Sequence, residues 1–173
     1  MAEERLSILE QRRIEAAVIK PIYDEMKARL GTETAQQILG DAIVKAAVAA
    51  GREFAAEFDG QTNLMKFQEI FKHWLKGGAL EVDYLERHEK AFSFNVTRCH
   101  YAEMYKDTGV GEIGHLLSCN RDGTFCQGFD PRIKFARGQT LMGGASHCDF
   151  RYSFEPEGTV EPAVESQAEF GCN

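Results

Sequence analysis

The sequence predicts an α+β domain in which N-terminal helices are followed by a ββααββ unit, its antiparallel sheet covered by helices. Two observations carry this. Apolar residues recur at helical spacing from Leu6 to Leu75, and from Leu80 onward several stretches alternate with a period of two. A chain of 173 residues is long enough to bury one core and short for two. The expected organisation is a single domain over residues 1–154, helical over 1–78 and sheet-containing over 79–154, with an acidic mobile tail over 155–173.

The first helix is expected from Glu3 to Leu30, with Leu6, Leu9, Ile14, Val18, Ile22 and Met26 as its apolar stripe. Pro21 lacks a backbone donor and should kink or split it, and Gly31 ends it. A capping-box pattern at Thr34 and Gln37 opens a second helix, running to about Phe58 with Ile38, Leu39, Ile43, Val44, Ala47 and Val48 buried. After the turn signal Asp59-Gly60, the residues Leu64, Phe67, Ile70, Phe71, Trp74 and Leu75 mark a third, stopped by Gly77-Gly78. Leu80–Leu85 and Phe92–Thr97 then read as a hairpin joined through Glu86–Lys90. Helix returns from Cys99 to Asp107 and again from Glu112 to about Gln127. A strand is expected from Arg132 to about Thr140, and a last one places Cys148, Phe150, Tyr152 and Phe154 opposite His147, Asp149, Arg151 and Ser153. Pro156, Gly158, Pro162 and several glutamates then give the tail little to bury.

Charge and composition narrow the function. A formal net charge of −7 argues against a phosphate-backbone ligand, so nucleic acid is not an expected partner. The charged start Met1-Ala-Glu-Glu-Arg5 has no apolar leader, and no run approaches the roughly 20 apolar residues of a membrane span. A cytoplasmic protein is expected, with no membrane contact, and its five cysteines as reduced thiols. Assembly as a homo-oligomer is left open. No cofactor is expected: Gly109-Val-Gly-Glu-Ile-Gly114 loosely matches a dinucleotide loop, but no strand leads into it.

Chemistry concentrates between Asn95 and Tyr152, which hold four of the five cysteines and three of the five histidines. His147 and Asp149 share one face of the last strand, roughly 6.6 Å apart along it, where a carboxylate can fix the imidazole's tautomer. The alternative is a solvated polar face. Cys119 is followed by Asn120 and Arg121, which can hold an oxyanion or carboxylate and lower the thiol's pKa, as a nucleophile requires. On a helix from Glu112, however, Leu116, Cys119, Gly123 and Cys126 share a face, and Cys119 is then core filling. Arg98, Cys99, His100 and Glu103 meet at a strand-to-helix junction, with His100 and Glu103 spaced as an acid–base pair, as metal ligands or as a surface contact. A zinc site from Cys99, His100, Cys119, His147 and Cys148 lacks ligand spacing, and no metal is expected.

The runs Asn95-Val-Thr-Arg-Cys-His-Tyr-Ala-Glu-Met-Tyr105, Leu117-Ser-Cys-Asn-Arg-Asp122, Gly128-Phe-Asp-Pro131, Gln139-Thr-Leu-Met142 and Gly144-Ala-Ser-His-Cys-Asp-Phe-Arg-Tyr152 resemble the L-2-amino-thiazoline-4-carboxylic acid hydrolase family. The resemblance covers about residues 10–154. It implies hydrolytic opening of a small carboxylate-bearing cyclic amide or amidine. It also implies that Cys119, Asn120, Arg121, His147 and Asp149, with Arg98, Cys99 and Glu103, lie in functional motifs. The expected mechanism has Cys119 attack as a thiolate, His147 act as base and acid, Asp149 orient it and Glu103 lend a further carboxylate, with Asn120, Arg121, Arg98 and Cys99 binding substrate. The ending at Cys148 is also similar to small-molecule-binding domains of the vinyl-reductase type, which makes a non-catalytic ligand-binding module the alternative, beside a zinc-assisted hydrolase.

Overall fold

The structure, a computed structural model, describes residues 6–156. Three helices come first, α1 (Ile8–Leu30), α2 (Thr32–Ala56) and α3 (Leu64–Leu75). The hairpin β1 (Leu80–Arg87) and β2 (Ala91–Cys99) follows, then α4 (His100–Asp107), α5 (Asn120–Phe129), β3 (Ile133–Ala136) and β4 (Cys148–Phe154). The strands form one antiparallel sheet in the order β1-β2-β4-β3, which bears out the α+β expectation. The acidic tail falls outside the described residues from 157 on.

The inner sheet face carries Phe92, Phe94, Val96, Cys148, Phe150 and Tyr152, packed on Phe67, Ile70 and Phe71 of α3 and Phe125 and Phe129 of α5. This is the alternation expected of the last strand, with Cys148, Phe150 and Tyr152 buried and their neighbours partly exposed. A second core joins Ala16 and Tyr23 of α1 to Leu39 and Ile43 of α2 and Tyr101, Met104 and Tyr105 of α4. Helices α2 and α5 cross at backbone contact: a Cβ on Gly51 would lie 2.2 Å from the Phe125 carbonyl oxygen, and one on Gly128 2.0 Å from that of Val48. Only glycine permits this approach, which seats α5 under the sheet.

Several expectations need correction. Helix α1 is not split at Pro21, which lies on its exposed side where the carbonyl left without a partner meets water. Its start is a capping box between Ser7 and Glu10, whereas α2 begins at Thr32 without a side-chain cap. The stripe Ile14, Val18 and Ile22 is 55%, 58% and 54% exposed; α1 packs instead through Ala16 and Tyr23, with Leu9, Ile19 and Met26 beside them. The small Ala16 lets the helix come close, and apolarity alone did not mark that face. In α2, Ile38 is 44% exposed and the close-packed side carries Ala35, Gly40 and Gly51.

The helix expected from Glu112 is broken into a 3-10 turn at Gly111–Ile113, a π-helical turn at His115–Cys119 and then α5. The extra residue of a π turn shifts the phase of the residues before Cys119 against α5; Cys126, within α5, is buried, and Cys119, at its start, is half-buried. The strand expected to reach Thr140 stops at Ala136, because the next residues leave the ladder to bind elsewhere: Arg137 turns to Asp122, and the backbone N–H groups of Gly138 and Gln139 donate to Asp149.

Candidate active site

Between the two cores lies a cavity of about 680 Å³. Its apolar wall comes from α2 (Ala47, Ala50, Phe54), α3 (Phe67, Phe71, Trp74), Phe125 of α5 and the inner sheet face. Small side chains on α2 leave the room. The polar wall comes from Arg12 and Glu15 of α1, Cys119, Arg121 and Asp122 at the π-to-α junction, Arg137 beyond β3, and Cys99 and Cys148.

Asp122 and Arg137 form the centre of this wall. Arg137 Nη1 donates to Asp122 Oδ2, and its Nη2 donates to the Cys119 carbonyl at 3.0 Å. The guanidinium lies over the Phe150 and Phe135 rings at 5.0 and 5.3 Å, which fixes its plane. Burial pushes the Asp122 carboxyl up to about 6, although Arg137, Arg121 and Arg12 all pull it down. A carboxyl at that value exchanges protons near neutral pH. One turn of helix away, burial and the Asp122 charge push the Cys119 thiol up to about 12, with Arg137 opposing. The resting group is therefore a thiol, not the thiolate the sequence suggested. Burial likewise raises Cys99, to about 11, and Cys148, whose Sγ accepts the Leu141 N–H at 3.2 Å.

Arg121 reaches the cavity as expected, its Nε donating to the Leu117 carbonyl at 2.8 Å and its Nη2 lying 3.4 Å from Glu15. Arg12 grips the same Glu15 at 2.6 and 2.8 Å. Two guanidiniums thus share one carboxylate. Burial first, and then the like charge of Arg12, lower the pKa of Arg121.

The other sequence candidates lie elsewhere. Asp149 lies on β4, but His147 falls in the bend just before the strand, so the expected shared strand face does not form; the two are not bonded to each other and neither lines the cavity. The His147 ring meets Gln139 Nε2 at 3.2 Å and Ser146 Oγ at 3.0 Å. Asp149 accepts the N–H groups of Gln139 at 2.8 Å and Gly138 at 3.0 Å. Burial opposes its ionisation, but these backbone donors outweigh it and hold the carboxyl below its ordinary value. Together they staple the segment after Arg137 onto β4. These contacts hold the backbone that follows Arg137. Glu103 pairs with Arg98 at 2.9 Å on the surface, 4.0 Å from His100, and neither Glu103 nor Arg98 reaches the cavity. Asn120 sits against Gly40 of α2, where a Cβ on the glycine would be 3.8 Å from its Nδ2. Among the described residues no group of three or more His, Cys, Asp or Glu is arranged to hold a metal, so the ligands of the zinc alternative do not converge.

The family model for the L-2-amino-thiazoline-4-carboxylic acid hydrolases matches residues 11–152, a span that contains the whole polar wall. The chain belongs to this family. Among solved structures, the phenol-responsive sensory domain of the transcription activator PoxR with phenol is similar at a TM-score of 0.52 and 13% identity, covering 89% of this chain and 79% of that one. A trafficking protein particle complex subunit 3 from Naegleria fowleri covalently bound to palmitic acid gives a TM-score of 0.49 at 9% identity, over 84% and 95% of the two chains. The first likeness shows a shared fold. Comparison with curated protein sequences finds no match. Among the described residues no helix is long and apolar enough to cross a membrane.

Sequence reasoning missed four residues of the polar wall: Arg12, Glu15, Asp122 and Arg137. For Asp122 a signal existed, three residues after Cys119 on a helix, where the two share a face. Arg137 had none, since a cation just past a short strand ordinarily faces water.

Proposed function

We propose that this hydrolase-family chain cleaves a C–N bond in a cyclic amide or amidine, with Cys119 as nucleophile and Asp122 as the group that moves its proton. The observation that carries the reading is their joint placement on one cavity wall, with a carboxyl at about 6 one helical turn from the thiol. Cys119 Sγ attacks the ring carbon while its proton passes to Asp122. The ring C–N bond breaks and its nitrogen takes that proton, leaving the carbon on sulfur. Water then adds to this carbon, gives a proton back through Asp122 to the departing thiol, and frees the opened product. The thiol holds its proton more tightly than the carboxyl does, so the first transfer is uphill, and bond formation and the Arg137 and Arg121 charges must offset it in the transition state.

A ligand-binding module without catalysis is the second reading. The thiol at about 12 and the largely apolar wall favour it. Ring opening of 2-amino-thiazoline-4-carboxylate by paired variants separates the roles. Asp122→Asn is expected to lower kcat by at least about a hundredfold, as the loss of a general base does, while His147→Ala keeps kcat within a few fold. Loss of kcat in His147→Ala with normal Asp122→Asn would move the base to His147. The absence of any turnover by the wild type on cyclic amides or amidines would favour the binding module.

A further inference from the structure

The cavity is far larger than the ring for which the family is named. At about 680 Å³ it falls in the range that holds drug-sized ligands, whereas 2-amino-thiazoline-4-carboxylate has roughly nine non-hydrogen atoms. Much of the surplus lining is apolar. Phe54, Trp74 and Phe125 pack on one another there, with ring centroids 5.8, 5.2 and 5.6 Å apart, and Ala47 and Ala50 keep the α2 side open. Water against such a wall has few partners, and an apolar occupant displaces it favourably.

Three arginines gather at one end of the lining, while Glu53, Glu57, His73 and Lys76 also line the cavity, next in sequence to Phe54 and Trp74. Arg12, Arg121 and Arg137 there face two carboxylates, Glu15 and Asp122, so this cluster by itself holds one positive charge more than its own pairs neutralise. A ligand fitted to both ends is amphipathic. We propose that the cavity binds an anionic head against Arg121 and Arg137 and an alkyl or aryl substituent in the aromatic chamber between α2 and α3, so that the substrate is an apolar-substituted relative of the thiazoline carboxylate. This rests on the cavity at Cys119 being the substrate site. It does not require that the site be catalytic.

The test uses the full chain and its single tryptophan, Trp74, as a reporter in the cavity wall, with calorimetry as a second readout. Butanoate, hexanoate, octanoate and decanoate are titrated beside the matching primary alcohols. Affinity is expected to rise by about fourfold per added methylene, the ordinary gain for apolar burial, and each acid to bind several-fold tighter than its alcohol. Ala50→Leu is expected to flatten the rise for the longer acids and leave butanoate unchanged. Affinity that does not climb from butanoate to decanoate in the wild type overturns the chamber. Equal binding of acids and alcohols overturns the anionic head. Turnover separates this from the hydrolase reading: tight binding of long acids with no cyclic amide opened leaves the chamber standing and removes the hydrolase. Ring opening at a kcat/KM indifferent to an added alkyl group does the reverse.

Discussion

Replacing Asp122 by asparagine removes the proton-exchanging group while keeping its size, and the structure fixes what stability should do with pH. Burial raises the carboxyl from its ordinary 3.8 to about 6 in the folded chain. The native state therefore holds this proton more tightly than the unfolded chain does. The stabilisation from protonation is fully present below about pH 3.8 and is lost as pH rises through about 6. The whole excursion is worth about 3 kcal/mol, roughly half of it between about pH 5 and 7.5. The substituted amide cannot titrate, so the difference in unfolding free energy between wild type and variant isolates this carboxyl from all others. The pH-independent cost of leaving Arg137 without its carboxylate shifts the difference but not its slope. Urea unfolding across that pH range is the assay, and the wild type is expected to lose roughly 1.5 kcal/mol relative to Asp122→Asn as pH rises. A flat difference, or one that favours the wild type at higher pH, would refute the raised carboxyl and with it the assignment of Asp122 as the proton carrier.

Other substitutions test the frame around the site. Gly51→Ala and Gly128→Ala each drive a methyl into backbone of the facing helix, so each is expected to lose about 2–3 kcal/mol in denaturant unfolding despite the better helix propensity of alanine. No loss in either would mean that α2 and α5 are not in backbone contact. Cys126→Ser places a hydroxyl in the packed core, and thermal melts should show a loss of roughly 1–3 kcal/mol. Turnover per folded molecule should remain near normal for Cys126→Ser.

How much of this was legible in the sequence differs by level. Among the described residues, periodicity located α1 to α3 and the β1–β2 hairpin, and Phe92, Phe94 and Val96, or Phe67, Ile70 and Phe71, bury the face their spacing implies. It erred where packing depends on small residues. Ala16, Gly40 and Gly51 carry little apolar signal, yet they mark the faces where helices touch, while Ile14, Val18 and Ile22 carry a strong one and face outward. The site was half legible. Motif reading found Cys119, Arg121 and Cys99, which line the cavity, and also His147 and Asp149, whose polar chemistry fixes a loop instead of facing a ligand. The sequence could not show that a π turn joins α5 at Cys119, beside the cavity, or that the residues stapled by Asp149 lie next to Arg137 where it reaches Asp122. Those facts belong to the tertiary fold.

The central claim is that Cys119 forms the bond to the ring carbon, and ring opening by Cys119→Ser measures it most directly. Serine is close in size, but its hydroxyl is a far weaker nucleophile near neutral pH. Measured beside the wild type on the same cyclic amidine, with folding and ligand affinity checked in parallel, the variant is expected to bind normally and to lose ring opening by at least about three orders of magnitude. Near-normal turnover by Cys119→Ser would contradict the account and transfer the chemistry to Cys99 or to a water activated by a carboxylate.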